Sequence, residues 1–338
     1  MRPKTATLPP SSRLLIFPIC LISLLLFFSS PVSSSGSSDL SPDFYVASCP
    51  NVELLVKNTV RTAVAFDATL PGKLLRLLFH DCMVEGCDAS VLLQGSGTER
   101  SDPANKSLGG FEVVESAKRL LEILCPGAVS CADILVLAAR DAVELTGGPS
   151  VRVPMGRRDG VVSSASHVRP NMVDTTFTLD EMLQLFSSKG LTLDDLVTLS
   201  GAHTIGSAHC SVFSERFRTG PNGSVTAVDA SLDGSYAAEL ARQCSGGGGE
   251  STTVSNDPET SAAFDNQYYR NLLVGKGLFE SDSALAGDRR TRGRVEALAG
   301  DQEGFFQGWA DSFVRLAGVG VKTGGEGEIR RSCHETNR

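Results

Sequence analysis

Apolar residues fall at helical spacing over most of this chain. From Asn51 to Ala68, Val52, Leu55, Val56, Thr59, Val60, Ala63 and Val64 recur three and four apart, which predicts an amphipathic helix closed by Pro71-Gly72. Lys73 to Asp81 predicts a second helix. Phe111 to Leu124 and Cys131 to Leu145 predict two more, the latter stopped by Gly147-Gly148-Pro149. Val151 to Gly160 reads as a short extended, basic segment, where Arg157 and Arg158 would ordinarily lie on the surface. Ser163 to Thr175 reads as a loop. Leu179 to Lys189, Leu193 to Ser200 and Gln302 to Leu316 read as helices. Strand alternation is scarce and there is no internal repeat, so the expected fold is all-α with minor short strands.

The first residues stand apart from that pattern. Arg2, Lys4 and Arg13 precede an apolar run from Leu14 to Phe28, and small residues follow from Ser29 to Ser38. Basic, apolar, small is the order of a secretory signal peptide. A membrane anchor is the rival reading, but the run is shorter than the roughly 18 apolar residues of a span and Pro18 interrupts it. The expectation is a leader and flexible start over 1–38 and one domain over 39–338. Without the leader's three basic residues the net charge moves from −8 to −11, which argues against nucleic acid or an anionic membrane as partner. Cys20 leaves with the leader. The remaining eight cysteines read as four disulfides in an oxidising compartment, with connectivity open at this point. Zinc is the alternative for Cys82 and Cys87, but no second Cys-x-x-Cys pair follows. Asn105-Lys106-Ser107 and Asn222-Gly223-Ser224 are glycosylation sequons. The run Gly246 to Gly249 lacks the strand and helix of a phosphate cradle and reads as a flexible loop.

Two histidines carry the candidate chemistry. His80 ends the apolar run Leu74-Leu75-Arg76-Leu77-Leu78-Phe79-His80. Arg76 lies four residues earlier on the same helix face, with Phe79 beside them. An arginine and a histidine on such a face are costly unless a cavity or partner receives them. His203 ends Leu196-Val197-Thr198-Leu199-Ser200-Gly201-Ala202-His203. An oxygen-rich cluster follows His80, with Asp81, Asp88 and Ser90 side chains and Val84 and Gly86 carbonyls. Such donors suit calcium, and a solvated acidic turn is the alternative. A second oxygen-rich segment spans Asp257 to Asp265. His167, His209 and His334 read as ordinary core or surface residues.

The motifs Arg76-Leu77-Leu78-Phe79-His80-Asp81-Cys82, Gly86-Cys87-Asp88-Ala89-Ser90, Leu199-Ser200-Gly201-Ala202-His203-Thr204-Ile205-Gly206 and Phe264-Asp265-Asn266-Gln267-Tyr268-Tyr269 resemble the secreted plant haem peroxidases of class III. The likeness runs from Phe44 to Cys333. It implies two helical lobes, about 39–160 and 161–338, with haem b between them. It implies that His203 ligates the iron and that Asp282 accepts a hydrogen bond from the other nitrogen of that imidazole. His80 would be the distal base, assisted by Arg76 and Phe79, and Asn105 would orient it, which conflicts with glycosylation there and leaves Asn222 as the glycan site. Two calcium ions are implied: a distal one on Asp81, Val84, Gly86, Asp88 and Ser90, with Glu99 reaching through water, and a proximal one on Thr204, Asp257, Thr260, Ala263 and Asp265. Implied disulfides are Cys49–Cys125, Cys82–Cys87, Cys131–Cys333 and Cys210–Cys244, and Asp133 with Arg157 would form a buried ion pair.

The resemblance implies a monomeric enzyme, exported to the cell wall space, that reduces hydrogen peroxide and oxidises small phenolic donors. Lignification, suberisation, oxidative-stress response and wall defence are the roles it suggests. A haem protein without turnover and a wall structural protein are the rival classes, and intact Arg76, Phe79, His80 and Asn105 speak against both. Three departures from the family pattern stand out. Met83 replaces a phenylalanine, Gly109 replaces an arginine, and Asn171-Met172-Val173-Asp174-Thr175 lacks both prolines of the donor-contacting loop. Val173 keeps a carbonyl there for aromatic donors on a less constrained backbone.

Overall fold

The computed structural model describes residues 40–220, 224–245 and 252–337. The leader, Asn222 and the glycine run 246–249 lie outside the described residues. Twelve α-helices carry most of the described chain. The first four are α1 (Val52–Phe66), α2 (Leu70–Val84), α3 (Phe111–Leu124) and α4 (Cys131–Leu145). Helix α4 is the hub, because α1, α2 and α3 all pack on it. Every residue from Cys131 to Val143 is buried, so no solvent face remains for its polar groups. Asp133 therefore collects a full set of partners. It accepts hydrogen bonds from Tyr45 Oη at 2.7 Å, Gly156 N at 2.7 Å and Arg157 Nη1 at 2.7 Å. Arg157 is 1 % exposed and spends its remaining donors on the Ala317 and Pro154 carbonyls. The ion pair implied by the resemblance is present, and Arg157 is not a surface residue.

Later elements are α5 (Ala165–Asn171), α6 (Leu179–Ser188), α7 (Leu193–Ser200), α8 (Gly234–Cys244), α9 (Gln267–Leu273), α10 (Glu280–Gly287), α11 (Arg289–Gly300) and α12 (Gln302–Leu316). Two small antiparallel ribbons complete the described chain. Strand β1 (Ser207–His209) pairs with β4 (Thr253–Ser255), Ser207 opposite Ser255, and β2 (Phe217–Thr219) pairs with β3 (Val225–Ala227), Phe217 opposite Ala227. The main core runs through both halves, and a smaller cluster of Phe213, Phe217, Tyr236, Leu240, Leu278 and Phe279 sits beside the ribbons. Among the described residues, no helix is long and apolar enough to cross a membrane.

The predicted helices 111–124, 131–145, 193–200 and 302–316 form with those bounds. Pro71-Gly72 does not end α1. Pro71 sits in the first turn of α2, where its missing N–H costs nothing. The segment 163–175 is not all loop, since α5 lies inside it and the Asn171 side chain caps the His167 carbonyl at 2.9 Å. Residues 151–160 form no strand but make single bridges, Met155 to Ser41, Arg158 to Lys322 and Asp159 to Glu328. Helices α8 to α11 fall where the pattern gives no prediction. All four disulfides have the implied pairing: Cys49–Cys125, Cys82–Cys87, Cys131–Cys333 and Cys210–Cys244.

Asp133→Asn leaves Arg157 buried without its counter-charge. We expect a loss of about 3–5 kcal/mol in denaturant unfolding, with m unchanged. A loss below about 1 kcal/mol would show that the pair is replaceable.

Candidate active site

His80 is buried near the end of α2 and makes one defining contact: its Nδ1 lies 2.7 Å from Asn105 Oδ1. The Asn105 amide donates through Nδ2 to the Glu99 carbonyl at 3.0 Å, so its oxygen faces the histidine. A carbonyl oxygen only accepts, so the proton sits on Nδ1 and Nε2 is left bare. Burial pushes the imidazole down to about 3. The Arg76 charge adds to that push and the Asn105 bond opposes it. His80 is thus held neutral with a free lone pair. Asn105 is 3 % exposed and engaged at both ends of its amide, which leaves no room for a glycan. Arg76, one turn before His80, donates to Ser107 Oγ at 2.9 Å and the Ala104 carbonyl at 3.1 Å. The short turn 103–107 therefore holds both side chains. Asp102 caps it by accepting from Ala104 N at 2.8 Å. Phe79 is half-buried against Phe186.

His203 is anchored in the same way. Helix α7 starts with a capping box in which Thr192 and Asp195 each accept from the other's main-chain N–H. It ends in a tight turn, Gly201–Thr204, that carries the histidine. Tyr269 of α9 donates its hydroxyl to the Val197 and Thr198 carbonyls at 3.0 and 3.1 Å, and a Cβ at Gly201 would lie 2.5 Å from that hydroxyl. Only glycine permits the approach. His203 Nδ1 lies 2.9 Å from Asp282 Oδ1. Asp282 also accepts from Tyr268 Oη at 2.8 Å and Phe279 N at 3.0 Å. Burial alone would raise this carboxyl, but the facing imidazole and these donors hold it below its ordinary value. His203 therefore also carries its proton on Nδ1. Its side chain remains 38 % exposed, with the other nitrogen available. Phe279 and Tyr268 pack edge-on against the ring.

The two histidine segments approach each other closely at the main chain. A Cβ on Gly72, in the first turn of α2, would sit 2.6 Å from the Gly206 Cα, three residues past His203. His80 lies eight residues further along α2, about 12 Å at 1.5 Å per residue.

Oxygen atoms gather behind both histidines. Thr204 Oγ1 lies 3.1 Å from Asp265 Oδ1, 3.4 Å from Asp257 Oδ2 and 3.5 Å from the Ala263 carbonyl. Thr260 Oγ1 lies 3.1 Å from Asp265 and 3.3 Å from Asp257. Two hydroxyl protons cannot satisfy that many acceptors, which is the chemistry of a cation site. Behind His80, Asp81 accepts from Ala89 N at 2.9 Å and Val91 N at 3.3 Å, which holds Ala89 at φ 60°. Burial pushes the Asp81 carboxyl well up, and the nearby Asp88 and Glu99 carboxylates push it further. Among the described residues, the buried Ser90 Oγ and Glu99 Oε2 have no partner of good hydrogen-bond geometry, and the Ser90 hydroxyl lies close enough to act on the Glu99 carboxyl. The Cys82–Cys87 disulfide closes the loop that carries Val84 and Gly86. Among the described residues, no three His, Cys, Asp or Glu side chains converge as a metal site, so both sets depend on hydroxyls and main-chain carbonyls. Sequence reasoning missed Tyr268, Tyr269 and Ser107. All three stand inside motifs quoted above, Tyr268 and Tyr269 in the Phe264–Tyr269 run and Ser107 in the Asn105 sequon, but nothing in the pattern assigned them a role.

The helical body presents two imidazoles, each with one nitrogen tied to a buried acceptor and the other left without a hydrogen bond among the described residues. Residues 56–301 match the peroxidase family. The chain is 61 % identical to Peroxidase 46 of Arabidopsis thaliana over 317 residues, which is 94 % of this chain and 97 % of that protein. It is 61 % identical to Peroxidase 18 of the same plant over 318 residues, 94 % and 96 % of the two chains. Peroxidase 55 is 43 % identical over 317 residues, 93 % and 94 % of the two chains. The chain belongs to the peroxidase family and is a peroxidase.

Proposed function

We propose that this peroxidase is a secreted haem enzyme that reduces hydrogen peroxide to water and takes single electrons from small phenolic donors. One observation carries the reading: His80 and His203 both have Nδ1 tied to a buried oxygen, which leaves each Nε2 free for chemistry. Haem fits the residues present. His203 would hold the iron, because its exposed nitrogen is the unprotonated one, and Asp282 would make that ligand electron-rich. Bound there, the haem would supply the electron transfer that no side chain of the site can supply. The rest belongs to the chain. His80 takes a proton from one peroxide oxygen and returns it to the other, which turns the leaving group into water. Arg76 stabilises the negative charge that builds as the oxygens separate. Asn105 keeps the His80 proton on Nδ1 throughout.

Calcium fits both oxygen clusters. Asp81, Val84, Gly86, Asp88 and Ser90, with Glu99 behind them, would hold the distal ion, and Thr204, Asp257, Thr260, Ala263 and Asp265 the proximal one. The Glu99 carbonyl is the acceptor for Asn105, so an ion held at the distal set would steady the group that aims His80. Asp81 directly follows His80 and Thr204 directly follows His203, so each ion would fix the main chain next to an imidazole. Export to the cell wall space is supported by the basic-apolar-small leader and the four disulfides, because such bridges persist in oxidising compartments. Val173, half-buried against the core, would offer its carbonyl to the aromatic donor.

His80→Ala should slow reaction with peroxide by about 10²–10⁴-fold while haem absorbance is retained. A near-normal rate removes His80 from the mechanism. Chelation of calcium should lower the thermal midpoint and weaken the haem spectrum together, and unchanged spectra in metal-free protein would reject the pinning of the imidazoles. Met172 is already extended, at φ −115° and ψ 134°, which suits a following proline. Val173→Pro should therefore fold normally and shift preference among phenols with the peroxide step unchanged. Identical donor profiles would make the loop departure silent.

A further inference from the structure

The carboxylate behind His203 is shared. Two side chains donate to the same oxygen of Asp282, His203 Nδ1 at 2.9 Å and Tyr268 Oη at 2.8 Å, both to Oδ1. The other oxygen, Oδ2, accepts from the main chain, Phe279 N at 3.0 Å.

The sharing follows from where α9 lies. This helix packs both on the turn that carries His203 and on α10, which carries Asp282. Tyr268 is its second residue and stands edge-on to the His203 ring, with 5.9 Å between ring centres. Tyr268 and Asp282 are each 3 % exposed, so bulk water does not reach the shared oxygen. The Ser200 hydroxyl lies close enough to act on the Tyr268 hydroxyl, but it gives its own proton to the Leu196 carbonyl at 2.8 Å. Burial and the Asp282 charge push the Tyr268 hydroxyl well above its ordinary value, so it keeps its proton and acts as the donor. Tyr269, next in the chain, turns its hydroxyl to the Val197 and Thr198 carbonyls instead.

Two donors on one oxygen oppose each other. Each draws negative charge toward itself, and a hydrogen bond to an ionised group owes its strength to the charge it meets. A buried site of low dielectric does not screen that competition. The Tyr268 bond therefore weakens the hold of Asp282 on the His203 proton. The far nitrogen of the imidazole is then less electron-rich than an unshared histidine–aspartate pair would make it.

We propose that Tyr268 is a positioning residue that restrains the pull of Asp282 on His203 and so raises the reduction potential of the haem, which extends the enzyme's reach to phenols that are harder to oxidise. This rests on the reading of His203 as the iron ligand. Hydrogen bonds behind an axial ligand are one of the levers by which a protein sets such a potential.

The test uses the haem-loaded full mature protein and reads two quantities. One is the iron–histidine stretching band of the ferrous form by resonance Raman, and the other is the ferric–ferrous midpoint potential. Asp282→Asn sets the sign of a lost pull, with a lower band and a higher potential. Tyr268→Phe keeps the ring and removes the hydroxyl, and should move both the opposite way. A ring-fluorinated tyrosine at position 268 is a stronger donor of nearly the same shape, and should lower the band and raise the potential. Tyr236→Phe removes a buried hydroxyl that feels the Asp282 charge but has no partner of good hydrogen-bond geometry among the described residues, and should change neither. If Tyr268→Phe does not take up haem, the fluorinated protein decides alone. Unchanged values in the Tyr268 proteins, or a Tyr268→Phe shift in the direction of Asp282→Asn, overturn the restraint and spare His203 as the ligand. An equal shift in Tyr236→Phe overturns it too, because any buried dipole would then serve. A wild type that takes up haem without an iron–histidine band overturns both.

Discussion

Everything at the site depends on where two protons sit. An imidazole is useful only if its working nitrogen is unprotonated and aimed, and each histidine meets that requirement through its other nitrogen. His80 gives its Nδ1 proton to a neutral amide, and His203 gives its own to a carboxylate. The two acceptors suit the two tasks proposed for these histidines. An amide leaves the first imidazole free to gain and lose a second proton. A carboxylate pulls on the Nδ1 proton and makes Nε2 a stronger electron donor, which is what a metal ligand needs. Neither acceptor is autonomous. Asn105 is aimed by the Glu99 carbonyl, and Asp282 by Tyr268 and the main chain of Phe279.

The sequence was most legible where one element carries both fold and chemistry. Helices α3, α4, α7 and α12 have apolar stripes that survive burial. The motifs around His80 and His203 are contiguous, so their residues could be named, and the structure sets Asn105 against His80 and Asp282 against His203. Legibility failed where stability comes from elsewhere. Helix α10 is Glu-Ser-Asp-Ser-Ala-Leu-Ala-Gly, and α11 opens Arg-Arg-Thr-Arg-Gly-Arg. Neither has a stripe, and both are helical because they pack on one another and on α9. Pro71 misled for a different reason. A proline after a helical run reads as a stop, and it is equally a start.

Arg157 shows the limit of a one-dimensional view. Two adjacent arginines in a polar segment look like surface, yet Arg157 is buried because Asp133, 24 residues earlier, and the Ala317 carbonyl, 160 residues later, both need it. Lys322 is the same case at larger separation, since it reaches Asp88 across 234 positions. No local pattern encodes such a pair.

These distant partners share a cause, which is that the end of the chain returns to complete its first half. Ala317 satisfies Arg157, Lys322 reaches Asp88, Glu328 bridges Asp159, and Arg330 donates to the Ala89 and Gly160 carbonyls. Cys333 then bonds to Cys131 at the start of the central helix. The distal cluster therefore cannot be finished until the last residues arrive, and contacts of such long range form late. A covalent tie across 202 positions is well suited to that order, because it removes the chain entropy that would otherwise favour release of the returning segment. Once tied, the C-terminal strip is the wall against which the His80 half is built, and the oxygen cluster around Asp81 and Asp88 inherits its geometry from residues far along the sequence.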